Sequence, residues 1–314
     1  MIINDIEVRP GKQETIEVNI ARLPSHSPIN LSITVARSKK PGPVLLLSGG
    51  LHGDEINGVE IVRRIIEDDL HIPLKGTIIC IPVINVYGFI HFSRYVPDGK
   101  DVNRSFPGNR NGSLASRVAY YLTRDVIPQI DYGIDFHTGG ADRTNYPQVR
   151  CMMDDARNAE LARVFNAPFM LHSKFRTGSL RQTAAKKDKR IIVYEGGESS
   201  RFDEFAIQQG MDGAIRIMNH LGMRNEEVMT PEHESRLIKN SSWIRARASG
   251  LFQTLIKSGE LIKKNQVVGH ITDPFGEFKV PVKASATGYV IGLNNNPIVH
   301  QGDAIMHIGV MAQS

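Results

Sequence analysis

Val44-Leu-Leu-Leu-Ser48 runs straight into Gly49-Gly50-Leu-His52-Gly53-Asp-Glu55-Ile-Asn-Gly58, and the reading of this stretch decides the architecture. A short, unbroken apolar run is what a strand covered on both faces looks like. The glycines after it let the backbone bend tightly without a side-chain clash. A helix is expected over about 57–69, with Val59, Val62, Ile65 and Ile66 along one side. Downstream, 77–83 repeats the buried-strand pattern, 114–127 reads as a helix, 132–136 as a strand and 155–165 as a helix. A further strand is expected over 190–194 and a last amphipathic helix over 204–221, while 14–20 and 31–36 read as strands near the start. Apolar strands alternating with helices predict an α/β fold, a mixed or largely parallel sheet flanked by helices.

The composition changes near residue 223. Residues 223–234 are polar and contain Pro231, and beyond them come short β-type runs punctuated by glycine. A weak repeat links 250–271 with 288–308, each half reading as strand, glycine turn, strand. This pattern is similar to the two half-motifs of a biotinyl/lipoyl-type flattened barrel. A first domain over 1–225 and a small all-β domain over 232–314 are therefore expected. No Met-Lys-Met or Asp-Lys-Ala carrier signature occurs between the halves, so Lys279 and Lys283 read as surface lysines. Fold likeness alone does not transfer a carrier role.

The bulk properties exclude several function classes. The chain has 314 residues, 41% hydrophobic and 23% charged, which is ordinary for a soluble globular protein. The net charge of +5 is mild, and its densest cluster, Lys186-Lys187-Asp188-Lys189-Arg190, reads as a solvated loop. With one Trp and no basic stripe, nucleic acid is not an expected partner. Cys80 and Cys151 sit inside apolar runs and read as buried free thiols rather than a disulfide framework. The N-terminus lacks a signal-peptide pattern, and no apolar run approaches the ~20 residues that span a bilayer. A cytoplasmic protein without a membrane partner is expected, and a homo-oligomer is compatible with the chain.

The chemistry concentrates at strand ends, where ligands bind in open α/β sheets. His52 and Glu55, three residues apart, can reach one ion from a single tight turn. A second strand ends in Asp135-Phe-His137-Thr-Gly-Gly140. Two imidazoles and one carboxylate, with a fourth position left for water, are the usual make-up of a catalytic zinc site. Singly, each residue also fits a structural histidine or a helix-start glutamate. Their joint placement beside glycines favours metal ligation. Glu195, in Tyr194-Glu195-Gly-Gly-Glu198, follows another apolar run and could take a proton from water. The loop Asp98-Gly-Lys-Asp101-Val-Asn103-Arg104, preceded by Arg94, fits a carboxylate-binding site, although taken alone it reads as a surface loop with ordinary ion pairs.

His-Gly-Asp-Glu, Asp-Val-Asn-Arg, Asp-Phe-His and Tyr-Glu-Gly-Gly, in that order, resemble the motif set of the succinylglutamate desuccinylase/aspartoacylase family, within the zinc carboxypeptidase-like group. The resemblance covers essentially the whole chain. It implies a zinc carboxypeptidase-like fold with an appended β-domain, and one zinc ion held by His52, Glu55 and His137. By the same resemblance, Glu195 matches the catalytic glutamate and Arg94 the arginine that polarises the scissile carbonyl. Asn103 and Arg104 match the pair gripping the substrate carboxylate, Arg181 a further substrate-binding arginine, and Asp101 the carboxylate that orients a ligand histidine, here His52. The expected activity is a zinc-dependent amidohydrolase that removes the acyl group from an N-acyl amino acid. The alternatives are a metallocarboxypeptidase acting on small peptides and a non-catalytic zinc or small-molecule binding protein.

Overall fold

A computed structural model of the chain describes residues 1–229 and 234–311. The boundary proline, Pro231, lies outside the described residues. A 13-stranded sheet forms the centre. Its order runs from Gln13–Arg22 through Pro28–Arg37, Thr77–Ile81, Val44–Ser48, Tyr132–Gly139, Arg190–Glu198 and Arg143–Cys151 to Gly288–Asn294, Ala304–Val310 and Asn240–Arg245. Val44–Ser48 is parallel to both of its neighbours, and Tyr132–Gly139 is parallel to Arg190–Glu198. The strands outside this parallel centre on the main path pair antiparallel.

The apolar run that opens the reading is covered on both faces, as expected. Leu46 joins Ile79, Ile81 and Ile191 in one buried cluster, while Leu45 and Leu47 join Ile78, Cys80, Ile134, Phe136, Ile192 and Tyr194 in the other. This is the two-residue alternation of a strand displayed across both sides of the sheet. The helices Ile56–Glu67, Ala156–Phe165 and Glu204–His220 cover the second face, with Ile61, Val62, Leu161, Ile207 and Ile217 in its cluster. Asp155 and Asp203 cap two of these helices by accepting hydrogen bonds from Asn158 N and Ala206 N.

Two expectations shift in detail, and two short helices add to those expected. The helix expected over 114–127 is α-helical only from Leu114 to Tyr121; a wider π-type turn over Leu122–Val126 and a 3-10 turn over Ile127–Gln129 complete it. Pro128, which has no N–H, ends the regular ladder. The strand expected over 190–194 continues to Glu198, so Glu195 lies inside it, at a point where the pairing register shifts on both sides. The short helices Val86–Ile90 and Leu180–Ala185 carry too few turns to show a periodicity in the sequence.

The C-terminal segment is all-β among the described residues, with its own buried cluster around Phe252, Ile271, Val290 and Ile308. Four of its strands, Lys279–Lys283, Val267–Thr272, Gly250–Thr254 and Ile298–Val299, make a separate small sheet. Others continue the large one: Gly292, Leu293 and Asn294 pair with Asn145, Thr144 and Arg143. Arg236–Ile238 also pairs in parallel with Phe169–Leu171. Among the described residues, no helix is long and apolar enough to cross a membrane.

Candidate metal centre and its cleft

His52 follows the turn after Val44–Ser48. Gly50 adopts a left-handed φ of +56°, and Gly53 packs so closely that a Cβ there would lie 1.9 Å from the carbonyl carbon of Gly88. That backbone contact cannot yield, so the glycine spacing around His52 is a packing requirement. Glu55 precedes helix Ile56–Glu67 as its cap residue but makes no side-chain cap. Its carboxylate turns instead to the histidines: Oε1 lies 2.7 Å from His52 Nδ1 and Oε2 lies 2.7 Å from His137 Nδ1. The two Nδ1 atoms are 3.2 Å apart. All three side chains are buried.

The opposite edges of both rings face carboxylates. His137 Nε2 is 2.8 Å from Asp135 Oδ2, and Asp135 Oδ1 accepts a hydrogen bond from Ser48 Oγ at 2.8 Å. His52 Nε2 is 3.4 Å from Asp101 Oδ1, an ion-pair distance rather than a good hydrogen bond. Carboxylates on the Nε2 side favour the proton there and leave each Nδ1 lone pair pointing inward. Two inward lone pairs at this separation repel unless a cation lies between them. Ligands ~2.0–2.1 Å from one tetrahedral ion stand ~3.3 Å apart, so the donor set fits a divalent metal such as zinc. The three ligand atoms lie within 4.8 Å of one another, in the group of His, Cys, Asp and Glu side chains that meets this test among the described residues.

The buried side chains also offset one another's charge. Burial disfavours charge on His137 and on His52, but the facing carboxylates, Asp135 and Glu55 for the first and Glu55 and Asp101 for the second, outweigh it and raise both pKa values. Burial likewise pushes Glu55 up, and the two imidazoles more than reverse it, holding the carboxyl well below its ordinary range. The pocket accumulates paired charge, as metal sites do.

A cleft of about 440 Å³ opens over this cluster, a volume suited to a small molecule. Six arginines line it: Arg94, Arg104, Arg143, Arg150, Arg176 and Arg181. Arg94 donates to Asp101 Oδ2 at 2.9 and 3.2 Å, and its Nη1 is 3.2 Å from His52 Nδ1 and 3.5 Å from Glu55 Oε1. Asn103 lines the cleft while its Oδ1 accepts from Leu180 N at 3.0 Å. Arg104 is exposed at the cleft and, among the described residues, donates only to its neighbour's carbonyl, Asn103 O. Arg181 is buried and its donors go to Arg150 O, Ser173 Oγ and Lys174 O, which engages it with the protein's own groups. Glu195 faces the same cleft, its two oxygens tied to Asn145 and Arg150.

Every site residue expected from the sequence thus lines this cleft or backs it. The catalytic-domain profile of the succinylglutamate desuccinylase/aspartoacylase family matches residues 41–221. The chain belongs to that family. It is 27% identical over 302 residues to the N-alpha-acetyl-L-2,4-diaminobutyric acid deacetylase of Halomonas elongata, covering 91% of this chain and 87% of that protein. In fold it is similar to a succinylglutamate desuccinylase/aspartoacylase from Rhodobacter sphaeroides, with a TM-score of 0.87 at 22% identity over 100% of this chain and 99% of that one. The product-bound ectoine utilization protein EutE from Ruegeria pomeroyi gives a TM-score of 0.85 at 22% identity over 96% of each chain.

Several residues at the cleft escape sequence reasoning. Asp135 had a signal: two residues before His137 on a strand, it shares that residue's face. Arg143, Asn145, Arg150 and Arg176 stand in no recognisable motif. Trp243, from the C-terminal segment, also lines the cleft, stacked on His307 with ring centroids 4.4 Å apart.

Proposed function

We propose that this protein is a zinc-dependent amidohydrolase that removes the acyl group from an N-acyl amino acid. The observation that carries the reading is the convergence, in one arginine-lined cleft, of the His52–Glu55–His137 donor set with Glu195 on the adjoining parallel strand. Membership of the family and the name of the Halomonas relative support the substrate class.

His52, Glu55 and His137 would hold the ion. When bound, the ion would lower the pKa of a water molecule and polarise the scissile carbonyl. Glu195 takes the proton of the attacking water as its oxygen adds to the carbonyl carbon. The same carboxyl then delivers that proton to the amide nitrogen as the C–N bond breaks, giving a carboxylic acid and a free amino acid. Arg94, fixed by Asp101, offers Nη1 to the negative charge that develops on the carbonyl oxygen. Arg104 and Asn103 receive the substrate's carboxylate, Arg104 because a guanidinium binds it in a two-pronged fork and this one is uncommitted to any carboxylate. Arg181 adds charge to the same wall from behind. Asp101 and Asp135 orient the two ligand rings.

Elemental analysis together with a free-amine release screen tests this. N-acetyl, N-succinyl and N-formyl amino acids are offered alongside small peptides, to wild type and to Glu195→Ala. One zinc per chain in both, with release from N-acyl amino acids by wild type alone, is the expected result. Release from peptides only would make the protein a carboxypeptidase. Stoichiometric zinc with no hydrolysis of either class would leave a binding protein.

A further inference from the structure

Glu195 occupies the last regular ladder position before the register of its strand breaks. Its pairing with Tyr132–Gly139 shifts between Glu195 and Glu198, and its pairing with Arg143–Cys151 shifts between Glu195 and Gly197. Two glycines follow it. The backbone there does little to aim a long side chain with three rotatable bonds, whose free rotation is worth up to ~2 kcal/mol of entropy.

The neighbouring strand supplies the aim. Asn145 Nδ2 donates to Glu195 Oε2 at 2.6 Å, and Arg150 Nη1 stands 3.1 Å from Oε1. The two donors are five positions apart, an odd number, so on a regular strand they would point to opposite faces. They share one because of the bulge. Glu195 pairs with Gln148 while Gly197 pairs with Asn145, so the four residues 145–148 oppose the three residues 195–197. The extra residue inverts the alternation and brings Asn145 round beside Arg150. Bulges next to active sites commonly re-aim a side chain in this way.

The C-terminal segment closes this arrangement from behind. Gly292 is the cross-strand partner of Asn145, and a Cβ at Gly292 would stand 3.0 Å from Asn145 Oδ1 and 3.3 Å from His307 Cβ. Next along the strand, Ile291 O accepts from Gln148 Nε2 at 3.0 Å.

We propose that Asn145 and Arg150 are the positioning residues of Glu195, and that the C-terminal β-segment serves the reaction by seating Asn145 through Gly292. The inference rests on the reading of Glu195 as the base. Holding both oxygens fixes the plane of the carboxylate relative to the metal cluster, and small displacements of a reacting group, of order 1 Å, cost ~10²-fold in rate.

Arg150→Gln, Arg150→Lys, Asn145→Ala and Gly292→Val test it. With the zinc-loaded enzyme, kcat is expected to fall ~10–100-fold in Arg150→Gln and Asn145→Ala, with KM within about twofold of wild type and metal content unchanged. Arg150→Lys should recover part of the loss, and Gly292→Val, whose Cβ would press on Asn145 Oδ1, should lower kcat in the same KM-neutral manner. Crystal structures of Arg150→Gln and Asn145→Ala should show Glu195 turned from its wild-type orientation. A Glu195 unmoved in both structures would overturn the proposal, whatever the activities. So would a raised KM with kcat intact in Arg150→Gln, since Arg150 would then grip substrate. A wild type inactive on every N-acyl amino acid sinks the reading of the function instead, and the crystal structures still decide the positioning.

Discussion

Glu195 and His137 are direct cross-strand partners in the parallel pairing of Arg190–Glu198 with Tyr132–Gly139. Adjacent strands lie ~4.8 Å apart, so the proposed base and one proposed metal ligand are set side by side by the sheet itself. Their spacing follows from the register of two buried strands.

That register makes Glu195 separable from metal binding. Glu195→Gln keeps the size of the side chain and removes its ability to take a proton. The expected result is a loss of ~10²–10⁴-fold in kcat with one zinc per chain retained, measured by steady-state release assays beside elemental analysis.

Asp135 Oδ2 lies 2.8 Å from His137 Nε2, so under the proposed reading it would act on the metal through that ring. In Asp135→Asn the ring loses its charged partner, and zinc affinity should weaken ~10–100-fold in competition with a chelator. An unchanged affinity would show that the ring is held by packing alone.

Arg104 faces the cleft, paired with no carboxylate among the described residues. Arg104→Ala should raise KM for N-acyl amino acids by ~10-fold or more, with a smaller fall in kcat. Shortening the substrate to an N-acyl amine without a carboxylate should erase the difference between variant and wild type.

His307 predicts a pH dependence of stability. Burial pushes its pKa down from 6.5 to about 4, and the nearby Arg150 adds to the shift. A depressed folded-state value means that the unfolded chain binds the proton first as the pH falls. The contribution is complete above about 6.5 and drains away as the pH drops toward 4, by up to ~3 kcal/mol. Urea unfolding at pH 7.5 and pH 4.5 should show His307→Phe, which can keep the stack on Trp243, losing less stability than wild type across that interval.

What the sequence made legible was local. The Val44–Ser48 run, its glycines and the strands at Tyr132 and Arg190 show because each element carries its own apolar pattern. His52, Glu55, His137 and Glu195 show because each comes at or soon after the end of such a run, within two residues of a glycine. Asn145 and Arg150 do not, because their value depends on a bulge and on pairing with a strand some 45 residues away. Trp243 and Gly292 are hidden for a similar reason. A composition change marks off the C-terminal segment, but no local pattern announces that its strands hydrogen-bond to the large sheet. The 114–127 helix was overextended because its apolar periodicity continues through residues whose backbone has already left the α-helical path.

The shared sheet has a consequence for the integrity of the molecule. Phe169–His172 covers residues 148–151 of Arg143–Cys151, but its first three residues, where Asn145 holds Glu195, are covered by Gly288–Asn294. A fragment ending near residue 225 would bare the edge at Arg143, Thr144 and Asn145, an invitation to pair with other molecules. Melting should therefore be cooperative, one calorimetric peak in which fold and activity disappear together. The C-terminal strands clasp the edge of the sheet at Asn145, and detaching them would also loosen the proposed base.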